Sequence, residues 1–131
     1  MKYENFGNVK IINKGLSNKN ETLALYADTK GSSRSSIYNR ELSHFNIEIN
    51  KTEKAKFIRF DEFYRSELDN QTVDLLKLDI EGHELFALEG SKKILKNIRN
   101  IQFEFGGANI DTKTYFQDFW YFFNNFNFKI F

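Results

Sequence analysis

Two kinds of hydrophobic spacing divide the chain. In the first half the runs are short and alternating. Val9, Ile11 and Ile12 predict a strand that stops at Asn13-Lys14-Gly15-Leu16-Ser17, and Glu21 to Asp28 predicts a second, with Leu23, Leu25 and Ala27 on one face and Thr22, Ala24 and Tyr26 on the other. Ser17-Asn18-Lys19-Asn20 joins them as a hairpin-like pair. Residues 29 to 46 hold Gly31, five Ser and little periodicity, which reads as a loop with one helical turn near Tyr38 to Phe45. Glu53 to Phe60 alternates weakly and gives way to a short helix over Asp61 to Leu68, whose acidic first turn suits the helix dipole.

In the second half the periods lengthen. Val73 to Ile80 is almost continuously apolar, the pattern of a strand covered on both faces in a parallel sheet, and it closes on Asp79-Ile80-Glu81-Gly82. A helix from about His83 to Asn97 carries Leu85, Leu88, Ile94 and Leu95 on one face. Ile98 to Phe105 reads as a further strand ending in Gly106-Gly107, and Asp111 or Thr112 can cap the helix that follows. Aromatics at 115, 116, 119, 120, 122, 123 and 126 give that helix a wide apolar stripe, and residues 127 to 131 read as the start of a final strand. Strand, helix, strand, helix, strand over 73 to 131 predicts an α/β fold with a mostly parallel sheet and right-handed crossovers, in one domain without an internal boundary.

Composition then narrows the function classes. Nineteen Lys plus Arg against eighteen Asp plus Glu leave a formal charge of +1, which removes the electrostatic case for nucleic acid or an anionic membrane as partner. With no Cys, and with His44 and His83 far apart, neither disulfides nor a thiolate or structural zinc site is expected. The apolar runs are too short to span a membrane and Met1 to Asn5 leads into no apolar signal segment, so the reading is a cytoplasmic protein. No G-x-G-x-x-G and no P-loop occurs in the sequence.

Candidate chemistry follows from topology. In open α/β sheets ligands bind beyond the carboxyl ends of the strands. Three such ends fall at Asn13 to Ser17, Asp79 to His83 and Glu104 to Gly107. Lys77 and Asp79 are two apart and share a strand face, while Glu104 ends the neighbouring strand. Lys77, Asp79, Glu81, His83 and Glu104 can therefore converge on one cleft, where like charges held close shift pKa values apart and supply a base. The same spacing also fits an ion pair of Lys77 with Asp79 or Glu104 that only neutralises the sheet end. His83, at a helix N-terminus, reads as a proton acceptor, a hydrogen bonder or an ordinary capping residue. Gly82 and Gly106-Gly107 suit a sharp turn or a close backbone approach to a ligand. Arg34 and His44 read as substrate contacts or as solvated loop.

Val73 to Glu84, VDLLKLDIEGHE, followed by Leu88-Glu89-Gly90 and by Ile101 to Asp111, IQFEFGGANID, resembles the FkbM family of S-adenosylmethionine-dependent methyltransferases. Tyr115 to Trp120, Gly15-Leu16-Ser17, Ser35 to Tyr38 and Phe60 to Phe63 extend the resemblance over nearly the whole chain. It implies a Rossmann-like methyltransferase fold with a three-layer, mostly parallel sheet, and methylation of a hydroxyl oxygen on a sugar or other small metabolite. It also implies catalytic work by Asp79, Glu104, His83 and Lys77, with Asp79 or Glu104 as base or acceptor-orienting group and Lys77 holding one carboxylate ionised. Asn13, Gly15, Ser17, Asp79, Glu81 and Gly82 are the residues expected to meet the cofactor. Family members carry, ahead of the region aligned here, a strand with a Gly-rich turn for the methionine part of the cofactor and a second strand ending in an acidic residue for its ribose. The chain is therefore expected to be a partial domain, truncated at its N-terminus. Its sheet is expected to be completed by a second polypeptide or by self-association, with a non-catalytic interaction domain as the alternative function.

Overall fold

Lys51–Arg59 is the strand around which the first sheet is organised. In the structure, a computed structural model that describes residues 7–32 and 34–131, it is β3, with β1 (Gly15–Ser17) and β2 (Glu21–Ala27) on either side in the order β1-β3-β2. Residues 1–6 and Ser33 lie outside the described residues. β1 runs parallel to β3 and β2 antiparallel to it, so the predicted direct pairing of the first two strands is corrected: the third lies between them. The first strand also forms at 15–17 instead of 9–12. Val9 and Ile11 remain 60% and 64% exposed among the described residues. Gly15 instead lies opposite Phe57, whose ring comes within 2.3 Å of where a Cβ would stand. Tyr26 and Ser36 exchange backbone hydrogen bonds of 2.7 and 3.0 Å, which ties the following loop back to β2. A 3₁₀ turn at Ser43–Phe45 falls within the helical turn expected near Tyr38 to Phe45.

α1 (Phe60–Glu67) buries Phe60 and Tyr64, four residues apart on one face. Asp61 is fully buried in its first turn, and Arg59 grips it with two hydrogen bonds of 3.0 and 2.6 Å. Burial by itself would raise this carboxyl; the Arg59 guanidinium outweighs it and holds Asp61 below the usual carboxylate range.

β4 (Val73–Leu78) and β5 (Ile98–Phe103) form a separate parallel pair, from Val73 opposite Ile98 to Leu78 opposite Phe103. Leu76 and Leu78 are buried, but Leu75 on the other face is 54% exposed, so β4 is covered on one face only among the described residues. Between the two strands lies α2 (Glu84–Glu89), which stops at Gly90 well short of the predicted Asn97. The cause is tertiary. The carbonyl of Ser17 in β1 lies 2.0 Å from where a Cβ on Gly90 would be, and the Asp61 N–H donates to the Gly90 carbonyl at 3.0 Å, so this corner is filled by β1 and α1. A turn and a 3₁₀ segment at Leu95–Asn97 carry the chain into β5.

After β5, α3 (Gly107–Thr112) is a helix the sequence reading did not anticipate, and α4 (Phe116–Asn125) matches the aromatic stripe. Phe119, Phe122 and Phe123 enter the core with Tyr64, Leu88, Leu95 and Ile98, and Phe103 stacks on Phe119 at 4.7 Å. Trp120 and Tyr121 stay about half exposed. Residues 127–131 adopt no strand. The architecture is thus mixed α/β with two small sheets, where the sequence predicts one mostly parallel sheet. Among the described residues no helix is long and apolar enough to cross a membrane.

Candidate functional site

The turn after β4 is where chemistry-bearing side chains collect. Glu81 and Gly82 both adopt left-handed backbone, with φ of 53° and 95°. At Gly82 this conformation coincides with crowding, since a Cβ would stand 2.7 Å from the Thr112 methyl and 3.0 Å from the Ala108 carbonyl oxygen on α3. Glu84 completes the turn from below: its Oε1 accepts from the N–H of Ile80 at 2.8 Å and of Gly82 at 3.4 Å. The residue is buried, and its second oxygen, Oε2, has no hydrogen-bond partner.

Arg40, from the loop after β2, clamps the turn. Its Nη1 donates to Glu81 Oε2 at 2.7 Å and its Nε to Asp111 Oδ2 at 2.9 Å, while Ser36 Oγ donates to the Glu81 carbonyl at 3.0 Å. His83 is buried beneath them. Its Nδ1 lies 3.1 Å from the Tyr38 hydroxyl and its Nε2 3.1 Å from Ser17 Oγ, with Phe86 stacked on its ring at 4.8 Å. Burial lowers the imidazole pKa to about 4, so it is neutral at physiological pH. Burial, and the nearby Glu84 charge, raise the Tyr38 hydroxyl.

The open side of the site is carboxylate. The Glu104 N–H donates to the Leu78 carbonyl at 3.0 Å, continuing the β4–β5 ladder by one residue and setting Glu104 beside Asp79. Contact between the two carboxyls raises Glu104, and burial and the charges of Asp79, Glu81 and Glu84 add to it. Lys77 pairs with Asp79 at 3.3 Å, both more than half exposed. Of the two ion pairs the spacing allowed, the structure forms this one.

Of the residues singled out in the sequence, Lys77, Asp79, Glu81, His83 and Glu104 gather at the ends of β4 and β5. Gly82 forms the turn. Asn13 is exposed before β1, Gly15 packs against Phe57, and Ser17 is buried with its hydroxyl on His83. Arg34 pairs with Asp28 on the exposed side of its loop, and His44 lies exposed against Phe45. Sequence reasoning missed Tyr38, Arg40, Glu84 and Asn109. The last is buried, accepts from the Gly106 N–H at 2.8 Å and donates to Thr114 at 3.1 Å, which fixes the glycine turn after Glu104. Among the described residues no group of three or more His, Asp or Glu side chains is arranged to hold a metal ion.

Comparison with known proteins bears on what this arrangement serves. The family model of the methyltransferase FkbM domain matches residues 4–130. Neither the curated proteins nor the solved structures yield a match. With the KLDIEGHE turn, the Leu88-Glu89-Gly90 corner and the Glu104 strand end all inside the matched span, the chain belongs to the methyltransferase FkbM domain family.

Proposed function

We propose that the open ends of β4 and β5 are the acceptor side of an S-adenosylmethionine-dependent O-methyl transfer, with a hydroxyl of a sugar or other small metabolite as acceptor. The observation that carries this reading is the Asp79–Glu104 carboxyl pair at the strand ends of an FkbM domain. The donor set suits the cofactor. S-adenosylmethionine bears a cationic sulfonium, an ammonium and ribose hydroxyls, and Asp79, Glu81 and Glu104 offer acceptor oxygens beside Lys77 and Arg40. Ser17 and Gly82, each committed to protein contacts, would support the wall of the site, and Asp79 and Glu81 would be the side chains left to meet a ligand.

When bound, the cofactor supplies a methyl group already activated for in-line displacement. The chain's own task is alignment and proton removal. One carboxylate of the pair would accept the acceptor's hydroxyl proton as that oxygen takes up the methyl group. A raised Glu104 is the better matched base near neutral pH, and Asp79, paired with Lys77, is the orienting group.

The test is a calorimetric titration of the chain with S-adenosylmethionine, run beside thermal unfolding with and without it. Saturable binding that raises the melting temperature supports the reading. Absence of binding by a cooperatively folded chain overturns it. A second reading, a non-catalytic domain that pairs with a second polypeptide or with itself, rests on the exposed Leu75 face of β4. Sedimentation that stays monomeric at all concentrations counts against its self-pairing form.

A further inference from the structure

Three side chains of the loop after β2, at every second position, end on the turn after β4. Ser36 Oγ donates to the Glu81 carbonyl, the Tyr38 hydroxyl meets His83 Nδ1, and Arg40 Nη1 donates to Glu81 Oε2. This is the spacing of extended chain, in which alternate side chains share a face. The segment is also pinned at its start, because Ser36 exchanges backbone hydrogen bonds with Tyr26 in β2. Residues 36–40 therefore cross the turn as a strap, tied to β2 at one end and held by Arg40 at the other.

Arg40 has a second arm. Its Nε donates to Asp111 Oδ2 at 2.9 Å, so one guanidinium joins the loop, the turn and α3. The side chain is only 12% exposed, and a charge so far withdrawn from water depends on both of its carboxylate partners. α3 presses on the same turn from its own side, where Thr112 and Ala108 close in on Gly82. The turn they enclose is strained, since Glu81 holds its left-handed backbone despite carrying a side chain. Such a conformation persists where the surroundings over-determine it. Here the carbonyl of Glu81 is held by Ser36 and its carboxylate by Arg40, both from the strap.

We infer that Arg40 is a two-armed latch and the positioning residue of Glu81: it keeps the strap and α3 closed on the turn as one unit, and fixes Glu81 Oε2 so that Oε1 is left for the ligand. Oε1 accepts no hydrogen bond among the described residues. The ligand part of this inference rests on the methyl-transfer reading of the site. By linkage, a ligand that engages the held Glu81 and the closed latch strengthen each other by the same factor. Lysine is a poor substitute, because a single ammonium lacks the planar fork that spans both carboxylates.

The test begins with hydrogen–deuterium exchange of the whole chain without ligand, comparing the native protein with Arg40→Ala, Arg40→Lys and Asp111→Ala. Arg40→Ala should speed exchange by about tenfold or more in residues 35–40, 80–83 and 107–113 together, while β3 and α4 keep native rates. Arg40→Lys, with the charge and one arm left, should loosen the same segments less, and it carries the comparison if Arg40→Ala loses protection throughout. Asp111→Ala leaves the Glu81 arm in place and should loosen 107–113 alone. Calorimetry with S-adenosylmethionine then reads the positioning role. Affinity should fall about tenfold in Arg40→Ala and stay near native in Asp111→Ala. Native exchange rates in Arg40→Ala, or loosening confined to the loop, overturn the latch. Loosened segments with native affinity overturn the positioning of Glu81. A native chain that binds no S-adenosylmethionine, while Arg40→Ala still loosens all three segments, overturns the methyl-transfer reading and upholds the latch.

Discussion

His83 Nε2 and Ser17 Oγ, 66 residues apart in sequence, meet at 3.1 Å in the interior, with the imidazole 5% and the serine 1% exposed. This contact joins the first sheet to the turn after β4. It makes the imidazole part of the scaffold beneath Glu81 and Glu84.

The pH dependence of stability tests that role. An imidazole whose folded pKa is about 4, against an ordinary 6.5, contributes fully above pH 6.5, and the contribution is lost as pH falls toward 4. The expected loss across that window is at most about 3 kcal/mol. Urea unfolding from pH 7 to 4 should show it in the native chain and not in His83→Gln, which keeps hydrogen-bonding capacity without titrating in this range.

A second prediction concerns the Arg59–Asp61 clamp. Asp61 has no exposed surface, and its partner Arg59 also donates to the Asn18 carbonyl at 3.0 Å. Asp61→Ala strips the guanidinium of a bidentate acceptor and leaves it part-buried, which should cost about 3 kcal/mol. Asp61→Asn, with one acceptor oxygen left, should lose less. Since Asp61 is held low, the native chain should also lose stability as pH falls through the carboxylate range, and thermal denaturation of the three proteins at pH 7 and pH 4 measures both effects.

How far these features are legible in the sequence depends on the range of the contacts that make them. The aromatic spacing from 115 to 126 places α4 because a helix needs only neighbours three and four residues away. Val73 to Ile80 reveals β4, but its apolar run also implies a cover over Leu75 that no element among the described residues provides. β1 is displaced from 9–12 to 15–17 by pairing with β3, some 40 residues on, which no local pattern encodes. Lys77 and Asp79 are legible because strand period puts them on one face, and Glu104 because the next strand ends beside them. Tyr38 and Arg40 were not, since a loop without periodicity gives no sign that it folds 41 to 45 residues forward onto Glu81 and His83.

Two glycines that look alike in sequence should behave oppositely. Gly90→Ala drives a methyl into the Ser17 carbonyl, so the β1–α2 corner must open, and a loss of about 3 kcal/mol or an unfolded chain is expected. Gly107 begins α3 with nothing within 4 Å of its Cβ position. Gly107→Ala should therefore stabilise by up to about 1 kcal/mol through helix propensity. Melting temperatures of the two variants, side by side, decide whether the corner is as tight as the geometry requires.

The carboxyl pair yields the prediction that most directly separates function from stability. A carboxyl whose folded pKa is raised favours the folded state at low pH and opposes it as pH rises through the unfolded and folded values. Glu104→Gln removes that opposition and should raise the melting temperature at pH 7 while leaving it nearly unchanged at pH 4. The same substitution removes the proposed base, so methyl transfer to a hydroxyl acceptor should fall by a factor on the order of 10² or more. Asp79→Asn, which also breaks the Lys77 pair, should relieve the Asp79 repulsion on Glu104 and shift the acidic limb of the pH–rate profile downward. A Glu104→Gln protein that is more stable at pH 7 yet transfers methyl groups at the native rate would confine the pair to a structural role.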